Sequence, residues 1–170
     1  MKKGFTLIEL LAVILIIGLL ALIAVPNVFK ASKDVKKDLY CEKIDLILST
    51  ASRWGDDHKS NFKKNGVDCY CDYSIREMVT SGKLKSEAGK GEKPVIENPY
   101  NSLNMATDSS QGEVGEDSYV RIYFQNNRAK AVFFPNKSDV SPYSGVTTCE
   151  NMSNSIPVTN SCGSVCITMY

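Results

Sequence analysis

The chain has few of the residues and motifs on which enzymatic chemistry usually depends. His58 is the only histidine among 170 residues. The sequence contains no glycine-rich phosphate loop, no Gly-x-Ser-x-Gly, no His-Glu-x-x-His and no Cys-x-x-Cys. These absences argue against a nucleotide-binding enzyme, a serine hydrolase, a metalloprotease and a thiol oxidoreductase. We therefore predict a non-enzymatic protein without a cofactor, and a membrane-anchored enzyme is kept only as the alternative from a different class.

The chain also lacks an excess of charge of either sign. Lysine and arginine number 20 against 19 aspartates and glutamates, and no stripe combines basic with aromatic residues. Strong binding to nucleic acid or to an acidic substrate is therefore not predicted. Charge is instead distributed unevenly, because Glu9 is the only charged residue between positions 5 and 25.

A long apolar run is the first feature that is present. It extends from Phe5 to Val25, and a helix of that length spans a hydrocarbon core of about 30 Å. A cleaved secretory signal usually has a shorter apolar region that ends in small residues at alternate positions, which this run lacks. Lysines flank the run on both sides, so the positive-inside rule alone does not decide its orientation.

The six cysteines indicate the compartment of the remaining chain. All of them follow the apolar run, and an even number in a small tethered domain is typical of disulfides formed on an oxidising side of a membrane. The disulfide candidates are Cys41, Cys69, Cys71, Cys149, Cys162 and Cys166. The paired Cys-x-x-Cys spacing of zinc sites is absent, although Cys-x-Cys and Cys-x-x-x-Cys together offer four thiolates. Zinc binding therefore stays open as the alternative, while no metal site is predicted.

Glu9 is the residue that most needs an explanation. A carboxylate within an apolar span costs roughly 2–3 kcal/mol or more, so it is normally paired and functional. Near the start of a helix it can also extend to the lipid headgroups and interact with the positive helix end. Its neighbours favour the functional interpretation. Gly4-Phe5-Thr6-Leu7-Ile8-Glu9 follows a short basic leader, Met1-Lys2-Lys3, and opens directly into the apolar run.

This arrangement resembles the N-terminal signature of type IV pilins and of the related pseudopilins of type II secretion and competence systems. The resemblance implies cleavage after Gly4 by a prepilin peptidase, which also N-methylates the new first residue, Phe5. It implies that Glu9 pairs with the Phe5 amine of a neighbouring subunit and so sets the register of assembly. Gly18 and Pro26 match further positions of the family, between which the helix can lose helicity in the filament.

The resemblance also implies a domain organisation and a set of partners. Residues 1–4 would be the leader, 5–26 a transmembrane and filament-core helix, and 27–170 an extracytoplasmic head. The precursor would cross the membrane once with its N-terminus in the cytoplasm and then polymerise with other pilins into a pilus at the cell surface. The expected partners are those pilins, the prepilin peptidase, the assembly platform and the membrane. A pseudopilin is the alternative, and the cysteine-rich C-terminal stretch favours a pilus subunit.

The second half of the predicted helix is amphipathic. Apolar residues recur every three or four positions, so one long helix with one buried face should extend from Phe5 to about Trp54. The predicted buried positions are Val28, Ala31, Val35, Leu39, Tyr40, Ile44, Ile47, Ala51 and Trp54. Gly55-Asp56-Asp57 is the expected stop, and a role at the end of this helix is the expectation for His58.

The rest of the chain predicts an α+β head in which this helix packs on a small antiparallel sheet. Ser74-Ile75-Arg76-Glu77 is a capping-box pattern that starts a short helix ending near Gly82. Residues 118–124 and 129–134 predict a hairpin, and 164–170 predict a last strand.

Two disulfide arrangements are expected within this head. One joins Cys149 to Cys162 or Cys166, by analogy with the C-terminal disulfide loop of many type IV pilins. The other joins Cys41 to Cys69 or Cys71 and would hold the connecting loop on the helix.

Overall fold

The computed structural model describes residues 6–89, 91–99, 102–115, 117–135, 149, 160–167 and 169, with the backbone alone at 22–30, 109 and 165. Two units divide the chain, Met1–Asp38 and Leu39–Tyr170. The boundary falls within one helix, α1, which extends from Leu7 to Asp57. Gly4 and Phe5 lie outside the described residues.

The first unit contains the N-terminal part of α1. Every described side chain from Thr6 to Lys36 is exposed in the single chain. The predicted buried stripe is therefore wrong at three positions of its first half, because Ala31 is exposed and Val35 and Leu39 are 56% and 46% exposed. The side chain of Val28, the remaining predicted position, lies outside the described residues. Periodicity locates the apolar face of a helix, but a face becomes buried only where another element covers it.

The second unit is built around the C-terminal part of α1. From Tyr40 onward every predicted position is buried, and Leu48 is buried with them; the buried set is Tyr40, Ile44, Ile47, Leu48, Ala51 and Trp54. Near the end of α1, Asp56 Oδ1 accepts a hydrogen bond from the backbone N–H of Ala129 at 2.7 Å. The helix therefore packs on the sheet of the head, as the α+β prediction requires.

The sheet has three antiparallel strands, β3 (Cys71–Ser74), β4 (Tyr119–Gln125) and β5 (Arg128–Phe134), which pair in that order. Strands β4 (Tyr119–Gln125) and β5 (Arg128–Phe134) form the predicted hairpin. Its two turn residues, Asn126 and Asn127, have φ values of 52° and 67°, the backbone that a tight two-residue hairpin requires and that asparagine tolerates. The hairpin prediction is confirmed.

The third strand and a second hairpin were not predicted. Strand β3 (Cys71–Ser74) is only four residues long and leads directly into helix α2 (Ile75–Thr80). Ser74 caps α2 as predicted, because its Oγ accepts the Glu77 N–H at 3.0 Å. Before β3, the two-residue strands β1 (Lys63–Lys64) and β2 (Val67–Asp68) pair around an Asn-Gly turn, a signal that sequence analysis should have used.

The last strand predicted over 164–170 is wrong in the part that the structure describes. Gly163–Val165 forms a single 3-10 turn, and Cys166 and Ile167 are in neither helix nor strand. The chain instead reaches the edge of the sheet at Ser161, which forms an isolated parallel bridge with Tyr70. Backbone hydrogen bonds of 2.9 Å from Tyr70 to Asn160 and from Cys162 to Tyr70 hold this contact. The apolar and β-branched residues of 164–170 suggested a strand. Instead, the disulfides of Cys162 and Cys166, on either side of the 3-10 turn, hold this segment beside residues 69–71.

Candidate assembly site

The N-terminal part of α1 presents an apolar surface that the single chain leaves uncovered. Leu7 is 83% exposed, and even the least exposed large residues of this stretch, Val13 and Leu11, are 48% and 49% exposed. The other large apolar residues are Ile8, Leu10, Ile14, Leu15, Ile16, Ile17, Leu19 and Leu20. A contiguous apolar surface of this size marks contact with lipid or with other protein chains.

Among the described residues, no helix combines the length and the apolar character needed to cross a membrane, so the membrane span expected over residues 5–26 stays a prediction.

Thr6 and Glu9 form a reciprocal cap at the start of α1. The Glu9 Oε2 atom accepts the Thr6 backbone N–H at 2.9 Å and the Thr6 hydroxyl at 2.8 Å. In return, the Thr6 Oγ1 atom accepts the Glu9 N–H at 3.4 Å. This is the capping-box arrangement, which satisfies backbone donors that the first turn of a helix otherwise leaves free. Thr6 is the site residue that sequence analysis missed, and the signal was its Thr-x-x-Glu spacing.

The other two predicted assembly residues, Gly18 and Pro26, both lie within α1. Gly18 lies within α1, and among the described residues no atom beyond the adjoining turns of the helix backbone would come within 4 Å of a Cβ added there. The helix continues through Pro26, whose side chain lies outside the described part of the chain.

His58 follows the last residue of α1, where its Nδ1 is 2.9 Å from the Trp54 carbonyl oxygen and its ring stacks on the Trp54 ring.

The six cysteines form three disulfides: Cys41–Cys149, Cys69–Cys162 and Cys71–Cys166. The expected pairings of Cys149 with Cys162 or Cys166, and of Cys41 with Cys69 or Cys71, are therefore wrong. Those pairings were expected because they close short loops or tie down a neighbouring segment. The structure instead places residues 69–71 beside residues 161–166, which are far from them in sequence. Each bridge closes a long loop, with sequence separations of 108, 93 and 95.

One group of cysteines has the proximity that a metal site would need. The Sγ atoms of Cys71, Cys162 and Cys166 lie within 4.8 Å of one another. Zinc binds thiolates, whereas each of these sulfurs is part of a disulfide. The zinc alternative therefore requires a reduced head.

A partly buried ion cluster holds the loop that precedes β4. Glu113 pairs with Arg76 of α2 and, at 3.0 Å, with Lys93, and its side chain is only 12% exposed. The hydrogen bond from Lys93, with the Arg76 charge and the Asp108 backbone N–H, lowers the pKa of Glu113 below its usual 4.5 against the opposing effect of burial. On the sheet, both oxygens of Asp72 accept hydrogen bonds from Arg121, which links β3 to β4.

Comparison with known proteins adds to this geometry. Residues 1–25 match the family model described as the prokaryotic N-terminal methylation motif. Competence protein ComGC of Bacillus subtilis (strain 168) is 31% identical over 96 residues, which are 51% of this chain and 97% of that protein. The ComG operon protein 3 homolog of Bacillus licheniformis is 39% identical over 57 residues, 34% of this chain and 59% of that protein. No solved structure matches the chain.

The methylation motif and the uncovered apolar helix are the two features that this chain shares with pilin-like proteins. A relative at 31% identity that is aligned over nearly its whole length identifies the family within this class. The chain belongs to the type IV pilin and pseudopilin family. About half of the chain lies outside that alignment.

Proposed function

We propose that the chain is a prepilin that is cleaved between Gly4 and Phe5, N-methylated at Phe5 and assembled through α1 into a pilin-like filament. The observation that carries the proposal is the methylation motif at residues 1–25, which leads directly into an uncovered apolar helix. Burying that surface in lipid before assembly, and among neighbouring helices afterwards, removes it from water in both states. The precursor is then a membrane protein with a cytoplasmic N-terminus, and the product is an extracellular filament.

Glu9 has the capacity to direct this assembly. An ionised carboxylate has about four acceptor positions, and the two hydrogen bonds from Thr6 occupy only one of its oxygens. The Phe5 ammonium of a neighbouring subunit would complete the set and neutralise two charges that an apolar interface penalises separately. Because Thr6 fixes the carboxylate against the first turn of α1, this pairing specifies an axial register.

The relatives favour a particular kind of filament. One is named a competence protein and the other a homolog of ComG operon protein 3, which supports the pseudopilin alternative over the pilus subunit that the C-terminal cysteines suggested. We place the chain among competence pseudopilins, as a structural subunit with no catalytic role. Its partners are other pilin-like subunits, a prepilin peptidase and an assembly platform.

Processing is tested by intact-mass measurement and N-terminal sequencing of the full chain from cells with and without prepilin peptidase. We expect a chain that begins at methylated Phe5 in the first case and at Met1 in the second. A chain that still begins at Met1 in cells with active peptidase would refute the proposal. Glu9→Gln separates the two steps, because we expect normal cleavage but loss of the subunit from sheared surface filaments.

The kind of filament is tested by deleting the gene and restoring it with the wild-type or the Glu9→Gln chain. A competence pseudopilin predicts loss of DNA uptake in the deletion strain and recovery only with the wild-type chain. Normal uptake together with loss of surface pili would instead support the pilus subunit.

A further inference from the structure

Two of the three disulfides lie side by side at the edge of the sheet. Cys69 and Cys71 flank Tyr70, while Cys162 and Cys166 flank the 3-10 turn that faces them. The Sγ atom of Cys162 is within 4.8 Å of the Sγ atoms of both Cys71 and Cys166, the two partners of the neighbouring disulfide. A modest movement of one side chain therefore brings a sulfur of one bridge into contact with the other bridge.

The four sulfurs differ in access to solvent. Cys69 is 1% exposed, and Cys71 and Cys162 are fully buried. Cys166 is the partly exposed member of the group. Thiol–disulfide exchange requires direct attack of a thiolate on a disulfide sulfur, so an external reductant has its best access at Cys166.

We propose that these two disulfides form an exchange relay that gives the C-terminal segment two covalent positions on the sheet edge. One thiolate of a dithiol reductant attacks Cys166 Sγ, forms a mixed disulfide there and releases Cys71 as a thiolate. The Cys71 thiolate attacks Cys162 Sγ, which forms a Cys71–Cys162 bond and releases Cys69, and Cys69 takes a proton from water. The second thiol of the reductant then loses its proton and attacks the reductant's own sulfur in the mixed disulfide, which releases the oxidised dithiol and the Cys166 thiolate, and Cys166 takes up a proton from water.

The net reaction consumes one dithiol and one protein disulfide. One disulfide, now Cys71–Cys162, still joins the C-terminal segment to the sheet edge. Cys162 moves its covalent partner by two residues, from Cys69 to Cys71. The backbone hydrogen bonds that join Tyr70 to Asn160 and Cys162 belong to the original register and oppose this shift in the oxidised state. Reduction therefore selects between two attachments of residues 160–167, while Cys41–Cys149, which is not in the sulfur group, takes no part.

The test is stepwise reduction of the full-length chain in detergent with a dithiol, followed by acid quenching, alkylation and peptide mapping without further reduction. Fragmentation across Tyr70 distinguishes Cys69 from Cys71. When the four-cysteine group first carries two alkylated thiols, we expect them on Cys69 and Cys166, with Cys71 joined to Cys162. Alkylated Cys71 and Cys166 beside an intact Cys69–Cys162 bridge, or any other pattern in the group, would overturn the proposal.

A Cys166→Ser variant tests the central step without any reductant. It leaves the Cys71 thiol beside the Cys69–Cys162 disulfide, so both Cys69–Cys162 and Cys71–Cys162 isomers should be found after alkylation. Cys149→Ser is the matched control, because its free Cys41 thiol is outside the group and should stay the sole alkylated residue. If Cys69–Cys162 is the only isomer found in Cys166→Ser, exchange between the two bridges does not occur.

Discussion

At the scale of single residues, Thr6 prepares Glu9 for its proposed task. The hydroxyl and the backbone N–H of Thr6 both donate to Glu9 Oε2, so the carboxylate is held at the first turn before any neighbouring subunit arrives. Ordering a charged side chain in advance reduces the entropy lost when it binds a partner. Thr6 is thus a positioning residue for Glu9.

Replacing Thr6 with valine should weaken this cap, because valine keeps the branched shape and the backbone N–H but loses the two hydrogen bonds that the Thr6 hydroxyl makes with Glu9. Loss of an N-terminal cap costs about 1 kcal/mol, which corresponds to roughly five-fold more frequent opening of the first turn. Hydrogen exchange at Leu10, whose N–H donates to the Thr6 carbonyl at 3.2 Å, measures this opening. Thr6→Ser keeps the hydroxyl and should exchange like the wild type; equal rates in all three chains would show that the cap does not stabilise α1.

A second prediction at the residue scale concerns Glu113 and the dependence of the head's stability on acidic pH. Its pKa is below 4.5 in the folded head, so the unfolded chain binds more protons at mildly acidic pH. The stabilisation from Glu113 is therefore complete above about pH 5 and is lost as the pH falls through the folded pKa. Glu113→Gln should reduce the decrease of Tm between about pH 5 and pH 3. The wild-type chain measured in parallel is the reference, and an unchanged slope in Glu113→Gln would contradict the assignment.

At the scale of elements, the end of α1 depends on a glycine for its close approach to the sheet. A side chain at Gly55 would lie 2.8 Å from Ala129 Cβ and 2.8 Å from Ile122 Cγ2. Ala129 is in β5 and Ile122 is in β4, and because a Cβ atom is fixed to the backbone, relief of the contact with Ala129 requires movement of the hairpin. Gly18, in the same helix, has no such neighbour.

Gly55→Ala should therefore destabilise the head, although alanine is the better helix former. Overpacking costs about 1–3 kcal/mol and the gain in helix propensity is about 1 kcal/mol, which leaves a net loss of up to about 2 kcal/mol. Trp54, the only tryptophan, reports unfolding in denaturant by its fluorescence. Gly18→Ala makes the same substitution in the first unit of the chain, outside the head and without the clash, and should leave the midpoint of the head unchanged. A Gly55→Ala head as stable as the wild type would mean that α1 and the sheet are less closely packed.

The elements that sequence analysis predicted are those defined by local chemistry. Periodicity gave α1, the Ser-x-x-Glu pattern gave the cap of α2, and β-branched and aromatic residues with a polar turn gave the β4–β5 hairpin. Strand β3 was not predicted, because its four residues are stabilised by pairing with β4 and have no distinctive sequence pattern of their own. The disulfide pairings were predicted wrongly for a similar reason, because they depend on which distant segments of the chain meet at the sheet edge.

At the scale of the whole molecule, disulfides at the sheet edge and on α1 constrain different parts of the unfolded chain. Cys69–Cys162 and Cys71–Cys166 join almost the same two segments. Once the first is formed, the second closes only the small ring made by residues 69–71 and 162–166. Cys41–Cys149 instead closes a larger ring through residues 41–69 and 149–162, and so removes more conformational freedom from the unfolded state.

The bridges should therefore contribute unequally to stability, although their sequence separations are similar. In the chain-entropy treatment, replacing Cys41 and Cys149 with alanine should cost about 2–5 kcal/mol. Replacing Cys71 and Cys166 while Cys69–Cys162 remains should cost about 1–2 kcal/mol less, because the smaller ring restricts the unfolded chain less. Denaturant unfolding followed by Trp54 fluorescence compares the two variants. Equal losses would show that strain or packing around the sulfurs, and not loop closure, sets the contribution of each bridge.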